Sequence, residues 1–102
     1  MQSPKNTQQF LELLDQGLFE VQDLIQSVED EGEDVDLGQH LPVYHEIARD
    51  LQALDRSVRA GEHVFADGHD LACYTKALPI RRRLPIFGLL EAINTAHRAG
   101  VR

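Results

Sequence analysis

The side chains that could do chemistry in this chain of 102 residues are five histidines, one cysteine and a run of three arginines. Each implies a different activity. His45 opens the string "HEIAR", the start of the H-E-x-x-H zinc-protease helix, but Arg49 stands where the second histidine ligand belongs. His63, Asp67, His69 and Asp70 form the densest set, four imidazole and carboxylate groups within eight residues. His63, Asp67 and His69 are therefore the metal-ligand candidates, with His40 and His45 as further donors, although their spacing matches no established zinc or calcium pattern. The acidic stretch with Asp30, Asp34 and Asp36 lacks the glycine and glutamate of a helix-loop-helix calcium loop.

Nucleophilic catalysis finds less. Ser3, Ser27 and Ser57 lie outside any G-x-S-x-G turn. Cys73 follows His69 by four residues, a spacing that on one helix would let an imidazolium lower the thiol pKa; a lone cysteine in a short apolar run otherwise serves as a small core residue. The glycines outside the helical stretches are isolated, so no phosphate loop is present. No catalytic constellation assembles, no cofactor is implied, and a non-enzymatic role is expected.

The sharpest feature is "PIRRRLP", residues 79–85. Arg81, Arg82 and Arg83 precede what reads as a helix start, where positive charge opposes the helix dipole and an anion is welcome. Their setting is polarised. Residues 1–75 hold 16 acidic and 4 basic residues, a balance of −12, whereas residues 76–102 hold 6 basic residues and Glu91, a balance of +5. Three anions could face the arginines: carboxylates of the same chain, an acidic protein surface (including a second copy of this chain), or phosphate. On extended backbone consecutive side chains alternate in direction, so at most two of the three arginines share one anion, which disfavours a tight phosphate site and suits a broad protein contact. The acidic remainder disfavours nucleic acid. The expected contact surface is Arg81, Arg82, Arg83 and Phe87, four residues beyond the last arginine. Phosphate or nucleic-acid binding through Arg81–Arg83 and metal binding through His63, Asp67 and His69 are the alternatives.

The elements that must position these residues are helical. Leu11, Leu14, Leu18, Val21, Ile25 and Val28 repeat at 3-4-3-4-3, with Phe10, Leu13 and Leu24 widening the stripe, and predict a helix from about Pro4 to Glu29. Asn6 with Gln9 forms a potential capping pair. Gly17 inside this pattern marks close approach of another helix. Residues 29–41 hold six acids and two glycines and read as an exposed connection. Tyr44, Ile47, Leu51, Leu54 and Val58 predict a second helix from Pro42 to Ala60, ended by Gly61. The two form an antiparallel hairpin. Val64 and Phe65 tuck into it, Asp67-Gly68 turns the chain, and Asp70 caps a short third helix over 71–78 that Pro79 ends. A last helix runs from Pro85 to Ala99, with Ile86, Leu89, Leu90, Ile93 and Ala96 on its apolar face.

The expectation is a single all-α domain, residues 1–102: a small bundle of about four helices built on an N-terminal antiparallel hairpin. The odd cysteine, the absence of a long apolar run and an N-terminus unlike a signal peptide point to a cytoplasmic protein with no membrane span. The function that fits is a small acidic protein–protein interaction or regulatory module, with self-association open to it.

Overall fold

A computed structural model of the chain describes residues 4–31 and 39–101. The first helix, α1, spans Thr7–Glu31 and is about 37 Å long at 1.5 Å per residue. It starts three residues later than the spacing suggested because Asn6, not Pro4, organises its first turn: Gln9 N–H donates to Asn6 Oδ1 at 2.8 Å, and Lys5 N–H donates to Gln9 Oε1 at 2.8 Å. It ends two residues later, so the acidic run begins inside the helix, where Gln26 Nε2 donates to Asp30 Oδ1 at 2.9 Å. The rest of the expected acidic connection, residues 32–38, lies outside the described residues.

Helix α2 spans Leu41–Arg59, as its stripe implied. Its end is closed by a bond from the Ala60 N–H to the Arg56 carbonyl, with Gly61 beyond at φ +73°. Arg59, at the end of α2, lies 3.6 Å from Asp15 near the start of α1; His45, near the start of α2, lies 3.5 Å from Glu29 near the end of α1. These two contacts pair α1 and α2 in opposite order. Helix α3 is short, Ala72–Ala77, and continues into a 3-10 segment, Leu78–Arg83. Helix α4 spans Phe87–Ala99. Among the described residues there is no strand, and no helix is long and apolar enough to cross a membrane.

The core sits where α1, α2 and α4 meet. Phe10, Leu14, Val21, Tyr44, Ile47, Leu51, Leu90 and Ile93 are fully buried. On α1 the buried face centres on Phe10, Leu14 and Val21, while Leu11, Leu18 and Leu24 lie half-buried at its flanks. Gly17 marks the closest approach: a Cβ there would sit 3.0 Å from Ile93 Cδ1 on α4 and 3.8 Å from Leu51 Cδ1 on α2. Phe65 packs inward, edge-on to Phe10 with ring centroids 5.0 Å apart, but Val64 points outward at 65% exposure. Alternation along this irregular segment allows one of the two neighbours to face the core, and the larger ring takes that place. No side-chain cap closes the N-terminus of α2, α3 or α4, in contrast to α1.

Candidate functional site

Two polar constellations stand out, one built on the arginines and one on the histidines.

Pro79 does not end the coil after α3. It lacks the N–H that an α-helix interior would use, and the chain tightens into the 3-10 segment, with a kink at Ile80 (φ −113°, ψ 15°). This replaces the extended backbone expected for the arginines. On a 3-10 turn consecutive side chains step by about 120°, so Arg81, Arg82 and Arg83 fan outward instead of alternating. All three are exposed. With Pro79, Ile80 and His40 they line a cleft of about 360 Å³. His40 belongs here because it immediately precedes α2 and its uncapped first turn. Arg81 Nη1 donates to the Leu78 carbonyl at 3.0 Å, which anchors its stem to its own turn. Among the described residues no carboxylate lies within ion-pair distance of Arg81 or Arg82; Asp15 and Asp55 pair with Arg59, Asp50 with Lys76 at 2.8 Å, and Asp70 with Arg98 at 2.8 Å. Phe87 is half-buried and stacks on Tyr74, with centroids 5.7 Å apart and planes inclined by 27°.

The histidine constellation joins residues 61–70 to α4. Its centre is His97, 2% exposed, a residue the sequence reading passed over. The signal was present: His97 lies four residues after Ile93 and seven after Leu90, on the apolar stripe itself. His97 Nε2 lies 2.9 Å from the His69 carbonyl oxygen and 3.2 Å from Asp67 Oδ1. Both partners accept, so Nε2 carries the proton. In the neutral ring Nδ1 then accepts, and His63 Nε2, 2.9 Å away, donates to it. The ring of Phe65 lies edge-on to His63 at 4.7 Å. Burial pushes the His63 pKa down and the His97 ring adds to that, while Asp67 opposes it. Asp67 is held below the usual carboxylate value, first by the His69 N–H that donates to it at 3.0 Å.

Asp70 does not cap α3; Leu71 occupies that position without a side-chain bond. Asp70 Oδ1 instead accepts from Asn94 Nδ2 at 3.0 Å and from Arg98 Nη1 at 2.8 Å, and these two hold its carboxyl below the usual range, the amide first. Tertiary partners on α4 outcompete the local cap. Asn94, itself buried, accepts the Leu71 N–H on Oδ1 at 2.8 Å.

The metal-ligand candidates are therefore divided among other tasks. His63 faces His97, Asp67 faces His97 and the His69 backbone, and His69 enters through its carbonyl. His40 lines the arginine cleft, and His45 pairs with Glu29. Among the described residues no group of three or more histidine, cysteine, aspartate or glutamate side chains is set to hold a metal ion. Cys73 is buried, and burial pushes its thiol pKa up to about 12, with the nearby Asp50 charge adding to the effect. His69 precedes α3, so the four-residue spacing does not place it on the helix face of Cys73. Compared with protein-family models, with curated proteins and with solved structures, the chain matches none.

Proposed function

We propose that this chain is a protein-interaction module whose basic cleft receives an acidic segment of a partner protein. The carrying observation is that Arg81, Arg82 and Arg83 line one cleft with Pro79, Ile80 and His40. Guanidinium groups that fan from a 3-10 turn match carboxylates spread along a peptide better than the clustered oxygens of one phosphate. The stems of the arginines and the rings and methyls of Pro79 and Ile80 give such a peptide apolar contact. Phe87, expected to share this surface, is stacked on Tyr74 and is not among the residues that line the cleft. A duplex of phosphates would meet the −12 balance of residues 1–75 as repulsion, which favours a protein partner over nucleic acid. The setting in this reading is the cytoplasm, where the lone Cys73 stays reduced.

The test is fluorescence anisotropy with a labelled Glu/Asp-rich peptide, the wild-type chain and the Arg81→Glu/Arg82→Glu variant. Binding of the wild type, weakened at least about tenfold in a variant of unchanged helical circular dichroism, supports the reading; tenfold corresponds to about 1.4 kcal/mol. Absence of binding to acidic peptides, with steeply salt-dependent binding to nucleotides or DNA, overturns it in favour of a phosphate site. Sedimentation without peptide shows whether a second copy occupies the cleft. A variant that unfolds would show that the arginines brace the fold.

A further inference from the structure

Residues 61–70 carry no regular secondary structure and hold three positive-φ positions, Gly61 (+73°), Ala66 (+56°) and Gly68 (+83°). Glycine tolerates that region; Ala66 is kept there by its surroundings, above all by its N–H, which donates to the His97 carbonyl at 2.8 Å. The segment is thus a strap whose shape depends on its fastening to α4, and its fastening is dominated by His97, through the ring and through the backbone.

The His63–His97 contact can exist with no added proton or with one. With none, His63 Nε2–H donates to His97 Nδ1. With one, one ring donates and the other accepts after a change of tautomer, and Asp67 at 3.2 Å supplies the counter-charge. With two, both facing nitrogens carry hydrogen, 2.9 Å apart, and no acceptor remains between them. Among the described residues, Asp67 is the carboxylate within ion-pair distance of this ring pair. On the strap, Asp67 is already matched, and Asp70 is paired with Arg98 of α4 at 2.8 Å. His69 adds a further imidazole beside Asp67. Helix α2 contributes the neutral Ser57 carbonyl, which accepts the Glu62 and His63 N–H groups, and α1 contributes the Phe10 ring against Phe65.

We propose that residues 61–70 form a proton-released strap, fastened to α4 by the facing imidazoles of His63 and His97 and freed when both are protonated, which breaks the Phe10–Phe65 contact and uncovers Phe10. This is independent of the arginine cleft. The sign follows from His63: burial holds its folded pKa below the ordinary imidazole value of 6.5, so the docked strap binds fewer protons than the released one. Docking is at full strength above that value and is lost as pH falls below it.

Amide hydrogen exchange on the whole chain, read by NMR from about pH 7.5 to about pH 5 and corrected for intrinsic rates, tests this. The Ala66 protection factor is expected to fall on acidification, by up to about tenfold per pH unit once the second proton binds, while Leu51, in the fully buried centre of α2, keeps its own. In His63→Gln the amide side chain can present either its NH₂ or its oxygen to His97 and takes up no proton, so Ala66 protection should become flat with pH. Unchanged Ala66 protection in the wild type, parallel loss at Leu51, or the wild-type pH dependence persisting in His63→Gln each overturns the proposal. Should that variant not fold, imidazole nitrogen shifts in the wild-type titration decide: uptake of a proton by His63 without loss of Ala66 protection refutes it.

Discussion

Replacing Asn94 with alanine removes the residue that ties the start of α3 to α4. Two bonds are lost, the one from Leu71 N–H to Oδ1 at 2.8 Å and the one from Nδ2 to Asp70 Oδ1 at 3.0 Å. They are not equivalent. Asp70 is exposed and keeps Arg98 and water. The Leu71 N–H is buried, and a buried donor left without an acceptor costs about 1–3 kcal/mol. Alanine returns roughly 0.5 kcal/mol of helix propensity. The net loss is about 0.5–2.5 kcal/mol, which in a domain of this size lowers Tm on the order of 10 °C. Urea and thermal unfolding followed by circular dichroism measure it. Asn94→Asp sharpens the test: its Oδ1 still accepts from Leu71, but a carboxylate oxygen replaces the amide that faced Asp70. Relative to wild type at the same pH, this variant should be destabilised near neutrality and recover in acid as the two carboxylates share a proton, whereas the alanine variant should not recover. The depressed pKa of Asp70 gives wild-type stability that is present above the ordinary carboxylate value and lost as pH falls through the folded one. Without the Asn94 amide that acid-dependent loss should shrink. An alanine variant within about 0.5 kcal/mol of wild type, or an aspartate variant indifferent to pH, would refute the reasoning.

Further outcomes follow from other contacts. Gly17→Val should destabilise by about 1–3 kcal/mol in urea unfolding, because its Cβ meets Ile93 Cδ1 at 3.0 Å and the branch has no room; a variant as stable as wild type would mean that α4 gives way freely. Cys73 should resist thiol reagents in the native state, since a pKa of about 12 leaves roughly one thiolate in 10⁴–10⁵ near neutral pH, and should label fully in urea; rapid native labelling would contradict its burial. Charge reversal at Arg81 and Arg82 and the pH profile of Ala66 exchange, described above, address the cleft and the strap.

How much of this was legible beforehand depended on whether a residue's partner was local. The stripe of Tyr44, Ile47, Leu51, Leu54 and Val58 placed α2 to within a residue at either end, because burial of one helical face is a periodic signal. Asn6 and Gln9 formed their capping pair because both partners lie within one turn. Asp70 misled for the opposite reason. Its sequence position suits a cap, but Asn94 and Arg98, more than twenty residues away, bind it instead. Pro79 does follow the end of the α-helix at Ala77, but the chain coils on as a 3-10 segment kinked at Ile80, and that continuation decides how the arginines are displayed. The role of His97 was not legible because its partners, His63, Asp67 and the His69 carbonyl, lie some thirty residues away and leave no local mark. His63, Asp67 and His69 cluster in the sequence, but the residue that organises them lies on α4.

The uneven capping of the helices bears on how the molecule assembles. A start sealed by its own side chains lets α1 begin to coil while the rest of the polymer is still disordered, whereas six residues of α3 or thirteen of α4 fall at or below the length at which solitary coils persist in water. Fragments cut between α2 and α4 would then lose their shape on separation, and acquisition of the native state is a collective event seeded from the N-terminal side.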